Sequence, residues 1–151
     1  MNISLDHLKK LREETSAGVS DCRQALEDAA GDLNKAKKLL VERGLEKAAK
    51  KEGKETSQGI VESYVHAGKI GALVEVRCET DFVARTDEFK NLAHEIALQV
   101  ASMNPKNVEE LLKTEYIRDP SVTIAELVKQ TVAKVGENIT IARFDRMMLG
   151  Q

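Results

Sequence analysis

The chain has little aromatic character: three Phe, two Tyr and no Trp in 151 residues. With no cluster of flat rings on which bases could stack, single-stranded nucleic acid is a poor ligand for it. An excess of positive charge is missing as well. Lys and Arg number 23 against 25 Asp and Glu, a net of −2, whereas electrostatic binding to a phosphate backbone calls for a strong basic surplus. Direct contact with nucleic acid is therefore not expected, and a folded, soluble partner is. Cysteine is limited to Cys22 and Cys78, which supply neither a disulfide framework nor paired metal-ligand spacing and fit a reducing compartment. Long apolar runs are also lacking. Asp6, Lys9, Lys10, Arg12, Glu13 and Glu14 break up any signal-peptide core, and no stretch has the length to span a bilayer. The expectation is a cytoplasmic protein without membrane contact.

Signatures of catalysis are equally sparse. His7, His66 and His94 fall on different elements with no nucleophile and base around them. His66-Ala67-Gly68-Lys69-Ile70-Gly71 faintly suggests a phosphate loop, but the Lys-Ser/Thr pair is missing and a hairpin turn accounts for it. No enzyme activity, cofactor or metal site is expected.

What the chain does contain is clear periodicity. Ser4 is placed to cap a helix bearing Leu5, Leu8 and Leu11, with Gly18 following its end; Ser20 is placed to cap a second with Cys22, Ala25, Leu26 and Ala29, stopped by Gly31. Asp32 opens a third with Leu33, Ala36, Leu39 and Leu40, closed near Gly44. Each is too short to persist alone, so residues 1–45 read as a three-helix bundle whose apolar stripes pack together. Residues 46–57, rich in Lys, Glu, Ala and Gly, read as a charged linker.

Residues 58–151 form the second expected unit. Gly59 to His66 and Ile70 to Cys78 give a hairpin around Ala67-Gly68-Lys69. Thr86 caps an amphipathic helix that Asn104-Pro105 ends; Asn107 begins a brief one, and Thr123 with Glu126 announces another through a capping box, closed by Gly136. Ile139 to Phe144 reads as a strand returning to the hairpin. The fold class is α+β: an N-terminal three-helix bundle, a linker, then a three-stranded antiparallel sheet covered on one face by helices.

The join between hairpin and helix is Cys78-Glu79-Thr80-Asp81-Phe82-Val83-Ala84-Arg85. A large aromatic there is either the cap of a core or a probe for another molecule. Since apolar residues at such junctions mostly pack inward, the residues by themselves favour the core.

That run closely resembles the most characteristic segment of bacterial translation elongation factor Ts. Other segments resemble the family in the same order: Lys10 to Leu26, Gly31-Asp32, Lys47 to Lys51, and Lys134-Val135-Gly136-Glu137-Asn138-Ile139. Five ordered segments are more specific than one short motif. The resemblance implies a guanine nucleotide exchange factor that binds the GTPase elongation factor Tu and promotes GDP release by displacing Mg²⁺ and phosphate-site contacts. It implies partner contacts at Thr80, Asp81, Phe82 and Val83, and, in an N-terminal module resembling a ubiquitin-associated domain, at Val19, Ser20 and Arg23. It makes the chain a short form with a single core module. Such forms tend to be homodimers; with Asp145 where some carry a cysteine, a dimer here would need sheet edges or apolar contacts rather than a disulfide. Gln99 stands where many relatives have His, and Ser16-Ala17-Gly18-Val19-Ser20 where many have Gly-Ala-Gly and two methionines. The competing reading is a non-catalytic adaptor, in which the bundle binds a peptide or ubiquitin-like surface and the α+β unit dimerises.

Overall fold

A computed structural model describes residues 3–151. The chain divides into two units, Met1–Lys50 and Lys51–Gln151. Among the described residues no helix is long and apolar enough to cross a membrane.

The first unit contains α1 (Leu5–Thr15), α2 (Val19–Asp28) and α3 (Leu33–Lys51). Leu11, Cys22, Ala25, Leu26, Ala29, Ala36 and Leu40 form its core, the residues that the helical spacing singles out, with Leu8, Leu33 and Leu39 packed against them. Small residues dominate, so the helices approach closely while little apolar area leaves water. Asp32 caps α3 as expected, its carboxylate accepting from the N–H groups of Asn34 and Lys35 at 2.9 and 3.1 Å.

Three details depart from the sequence reading. Ser4 occupies the N-cap position of α1 without a side-chain capping bond. The N-cap of α2 is Gly18, with an extended backbone, so that Ser20 falls inside the first turn instead of capping it. Finally, α3 runs through Gly44 to Lys51, taking up the first part of the expected linker. One helical glycine costs about 1 kcal/mol, which the strong helix formers Leu45, Glu46, Lys47, Ala48 and Ala49 offset. Lys47 also donates to Asp21 at 3.2 Å, tying the extension to α2.

In the second unit β1 (Gln58–His66), β2 (Ile70–Cys78) and β5 (Ile139–Met148) form an antiparallel sheet in the order β1-β2-β5. β5 extends four residues beyond the expected Phe144, pairing down to Ile70↔Met148 with a register shift at Glu75/Val76. Alternation along β2 sends Ala72, Val74, Val76 and Cys78 to the buried face. There α5 (Asp87–Met103) lies against β1 and β2 through a stripe that includes Phe89, Leu92, Ala93, Ile96 and Val100. α7 (Ile124–Val135) packs on α5. The other face of the sheet leaves Val61, Val65, Leu73 and Met147 exposed.

The local signals in this unit hold. Thr86 caps α5 by accepting from the Phe89 N–H, and Asn104 ends it in the left-handed conformation. Asn107 caps α6 (Val108–Lys113); Thr123 and Glu126 form the full capping box of α7, and Gly136 closes that helix at φ 75°. Gly59 is required for a different reason: a Cβ there would lie 2.1 Å from the carbonyl oxygen of Val76. The small hairpin of β3 (Glu115–Tyr116) and β4 (Asp119–Thr123) is an addition that the sequence reading lacks.

Candidate functional site

Where β2 ends, the chain turns through Glu79 and Thr80 into α4 (Asp81–Ala84), a helix of four residues. One turn of helix does not persist by itself, because fixing its dihedrals is not offset by the single hydrogen bond it closes. It must be held by its surroundings, and several bonds hold it. The Thr80 hydroxyl accepts from the Val83 N–H at 3.3 Å, while Val83 and Ala84 are buried beneath the turn. From the turn after α7, the Glu137 carboxylate accepts from both the Thr80 N–H at 2.9 Å and the Thr80 hydroxyl at 2.7 Å. Next to it the Asn138 N–H donates to the Glu79 carboxylate at 2.7 Å, and the Asn138 side-chain amide donates to the Lys54 carbonyl at 2.8 Å. The Cys78 thiol donates to the Thr80 carbonyl at 3.2 Å.

This arrangement sends Phe82 outward. Its side chain is 83% exposed, which overturns the expectation that a junction aromatic caps the core. Val83 and Ala84 take the inward side of α4, which leaves Phe82 on the outward side. Asp81 and Thr80 are exposed beside the ring, and Asp81 pairs with Arg85 one turn on, at 2.6 Å. The four site residues predicted at the corner thus divide: Asp81 and Phe82 face solvent, Thr80 is a cap with both hydroxyl capacities engaged, and Val83, at 6% exposure, is an anchor and not a surface contact.

Electrostatics at the corner are acidic. The Cys78 thiol is pushed up to about 11 by burial first and then by the charge of Glu137, with Asp81 and Glu79 adding to it. That cysteine is an inert thiol donor. Both cysteines are free and buried.

Val19, Ser20 and Arg23 lie together on the first turns of α2, all exposed. Arg23 reaches Glu27 at 3.3 Å with its side chain still largely in water. Gln99 is different: it is fully buried and satisfied, donating to Thr114 Oγ1 at 3.2 Å and the Glu115 carbonyl at 2.7 Å and accepting from the Ile117 N–H at 3.2 Å. It fastens the β3–β4 hairpin to α5, next to Glu95, which accepts from the Tyr116 hydroxyl at 2.8 Å and from Arg118 at 2.7 Å. His66 and His94, distant in sequence, flank one ring. Tyr64 bonds His66 Nδ1 at 2.9 Å and meets His94 edge-on at 5.9 Å. Among the described residues no group of three or more His, Cys, Asp or Glu side chains is placed to hold a metal.

Sequence reasoning gave no roles to Glu137, Asn138 and Arg85. The signal for the first two was present in the Gly136-Glu137-Asn138 segment, where the Glu137 carboxylate and the Asn138 backbone N–H hold the Glu79-Thr80 turn. Chemically, the corner can insert an apolar ring into another surface, offer the Asp81 carboxylate next to it, and keep both in place during contact.

Comparison with known proteins identifies the family. The sequence model of the family described as "Elongation factor TS" matches residues 79–151, the stretch from Glu79 through Phe82 to Glu137 and beyond. The chain is 43% identical to elongation factor Ts of Coprothermobacter proteolyticus over an alignment of 197 positions that covers 100% of both. It is 41% identical to the protein of the same name from Herpetosiphon aurantiacus, covering 99% of each. With that of Rippkaea orientalis the identity is 40%, over 99% of this chain and 79% of the relative. These alignments are longer than the 151 residues here, so the relatives carry segments that this chain lacks. Sustained identity over the whole length places the chain in a family: it belongs to the elongation factor Ts family.

Proposed function

We propose that the chain is a guanine nucleotide exchange factor of translation elongation, acting in the cytoplasm on elongation factor Tu and releasing its GDP. The observation that carries this reading is Phe82, a large apolar ring standing free at the tip of a clamped one-turn helix. A ring held out of the core on a clamped turn is available for burial against another surface, where its apolar area would leave water. A GTPase holds its nucleotide through backbone amides at the phosphates and a Mg²⁺ with few protein ligands. A ring driven into that neighbourhood displaces both together.

The magnitudes suffice. Full burial of a Phe side chain contributes about 2–3 kcal/mol, and a hydrogen bond to a charged group about 1.5–3 kcal/mol. A thousandfold faster release requires about 4 kcal/mol. Phe82 and Asp81 together reach it if their contacts form in the opened state of the partner. Thr80 takes part by holding the turn, since its hydroxyl already donates to Glu137 and accepts from Val83. Val83 anchors the same turn from below. Asp81 exchanges Arg85 for the partner's groups at little cost, because the Arg85 side chain is 79% exposed and such pairs are worth at most about 1 kcal/mol.

Val19, Ser20 and Arg23 supply a second contact, an apolar side chain beside a cation at the start of α2. Coupling is reciprocal: whatever the factor does to GDP affinity, the nucleotide does to the affinity for the factor. If two copies associate, the exposed Val61, Val65, Leu73 and Met147 of the sheet are the apolar surface on offer, and buried cysteines take no part. The test is stopped-flow loss of fluorescent GDP from elongation factor Tu with and without the chain.

A further inference from the structure

We propose that Glu137 is a positioning residue for Phe82: by gripping Thr80 at two points it fixes the direction of α4 and so sets the maximal rate of nucleotide release. The inference rests on the exchange reading above and names a residue, 55 positions further along the chain, on which that reading depends.

The argument starts from the shortness of α4. Four residues make one turn, and a turn without outside support samples many orientations. Phe82 itself offers no anchor, being 83% exposed. From below, Val83 and Ala84 fix the depth of the turn but leave its rotation open. The two bonds from Glu137, 2.9 Å to the Thr80 N–H and 2.7 Å to its hydroxyl, remove that freedom. A carboxylate accepting two donors from one residue defines a plane, and charge makes both bonds short and strong. The Thr80 hydroxyl then passes the constraint on, since its oxygen also accepts from the Val83 N–H. Thus Glu137, Thr80 and the helix form a single chain of bonds.

Glu137 is itself held. Gly136 turns the backbone at φ 75° after α7, and the neighbouring Asn138 N–H returns a bond to Glu79. The pairs Glu79-Thr80 and Glu137-Asn138 are therefore latched reciprocally. A ring that must enter a partner's surface in one pose gains from such preorganisation, because misplacement by about 1 Å costs up to about a hundredfold in rate. Docking affinity, supplied also by α2 and Asp81, depends on it far less.

The chain contains no Trp, so Phe82→Trp gives a single fluorescent reporter at the tip. In that background Glu137→Ala and Glu137→Asp, the second keeping the charge but withdrawing it by one methylene, should lower the residual anisotropy of the indole. Glu137→Gln should preserve it, because its amide oxygen still accepts from the Thr80 N–H and its amide nitrogen donates to the hydroxyl. With Phe82 restored, Glu137→Asp should cut the maximal rate of GDP release by about tenfold while the half-saturating concentration moves within about threefold, and Glu137→Gln should stay within about threefold in both. Full maximal rate in Glu137→Asp, unchanged anisotropy, or a Gln variant as slow as the Asp one would overturn the positioning role. Phe82→Ala measured alongside separates the two levels: if it too releases GDP at the full rate, the wedge reading falls; if it is slow while Glu137→Asp is fast, only the inference about Glu137 does.

Discussion

Phe82 and Val83 are neighbours in the chain on opposite sides of the protein surface, one 83% exposed and the other 6%. In the proposed reading, contact with another molecule and support of the fold fall to adjacent residues, which makes them separable by mutation. Val83→Ala removes two buried methyl groups and should destabilise the second unit by about 2 kcal/mol, read by chemical denaturation. Phe82→Ala should change stability by less than about 0.5 kcal/mol. Equal losses in the two variants would contradict the division.

Gln99 is a structural polar residue, and its removal should be costly. Gln99→Leu preserves the volume but leaves the Ile117 N–H and the Glu115 carbonyl without their side-chain partner. A loss of about 2–3 kcal/mol in urea unfolding is expected, with the β3–β4 hairpin losing amide protection first. A loss below about 0.5 kcal/mol would show that water replaces the amide without penalty.

Alkaline pH should weaken the second unit through Cys78. Its thiol is raised from 9.0 to about 11 in the folded chain, by burial and then by Glu137, so the folded state holds the proton more tightly than the unfolded one. That stabilisation is complete below pH 9, declines as pH rises, and is gone above about 11. Up to about 2–3 kcal/mol follows from a shift of this size. Tyr116 is raised as well, from 10.0 to about 12, by burial and its bond to Glu95, and adds a loss in its own, higher window. The difference between the unaltered chain and Cys78→Ala isolates the cysteine. Parallel stability profiles between pH 9 and 11 would contradict the assignment.

How much of this was legible in the sequence follows the range of each interaction. Thr86, Asn107, Thr123 with Glu126, and Gly136 act within one turn of their own position, and local spacing was enough to place them. Helical and strand periodicity likewise marked the cores of both units. Gly44 misled because a glycine signals a stop only when the following residues cannot continue the helix, and here they can. Ser20 misled because Gly18, two residues earlier, already starts α2. At the corner, the local pattern by itself favoured an inward ring, and only the family resemblance implied an exposed one. Whether Phe82 points in or out is decided by Val83 and Ala84 filling the inward side of the turn and by Glu137, 57 residues from Thr80, and the second constraint is not written in the local pattern. The same holds for Gln99, whose partners lie 15 to 18 residues away, at the end of α6 and on a hairpin that has only two residues in one of its strands.

The most direct test is the rate at which elongation factor Tu loses fluorescent GDP when mixed with a saturating amount of the chain, compared with Phe82→Ala. The account predicts release slowed by about ten- to a hundredfold, equivalent to about 1.4–2.8 kcal/mol of lost barrier reduction, in a variant whose thermal unfolding is unchanged. Release at the unaltered rate by the folded variant would contradict it.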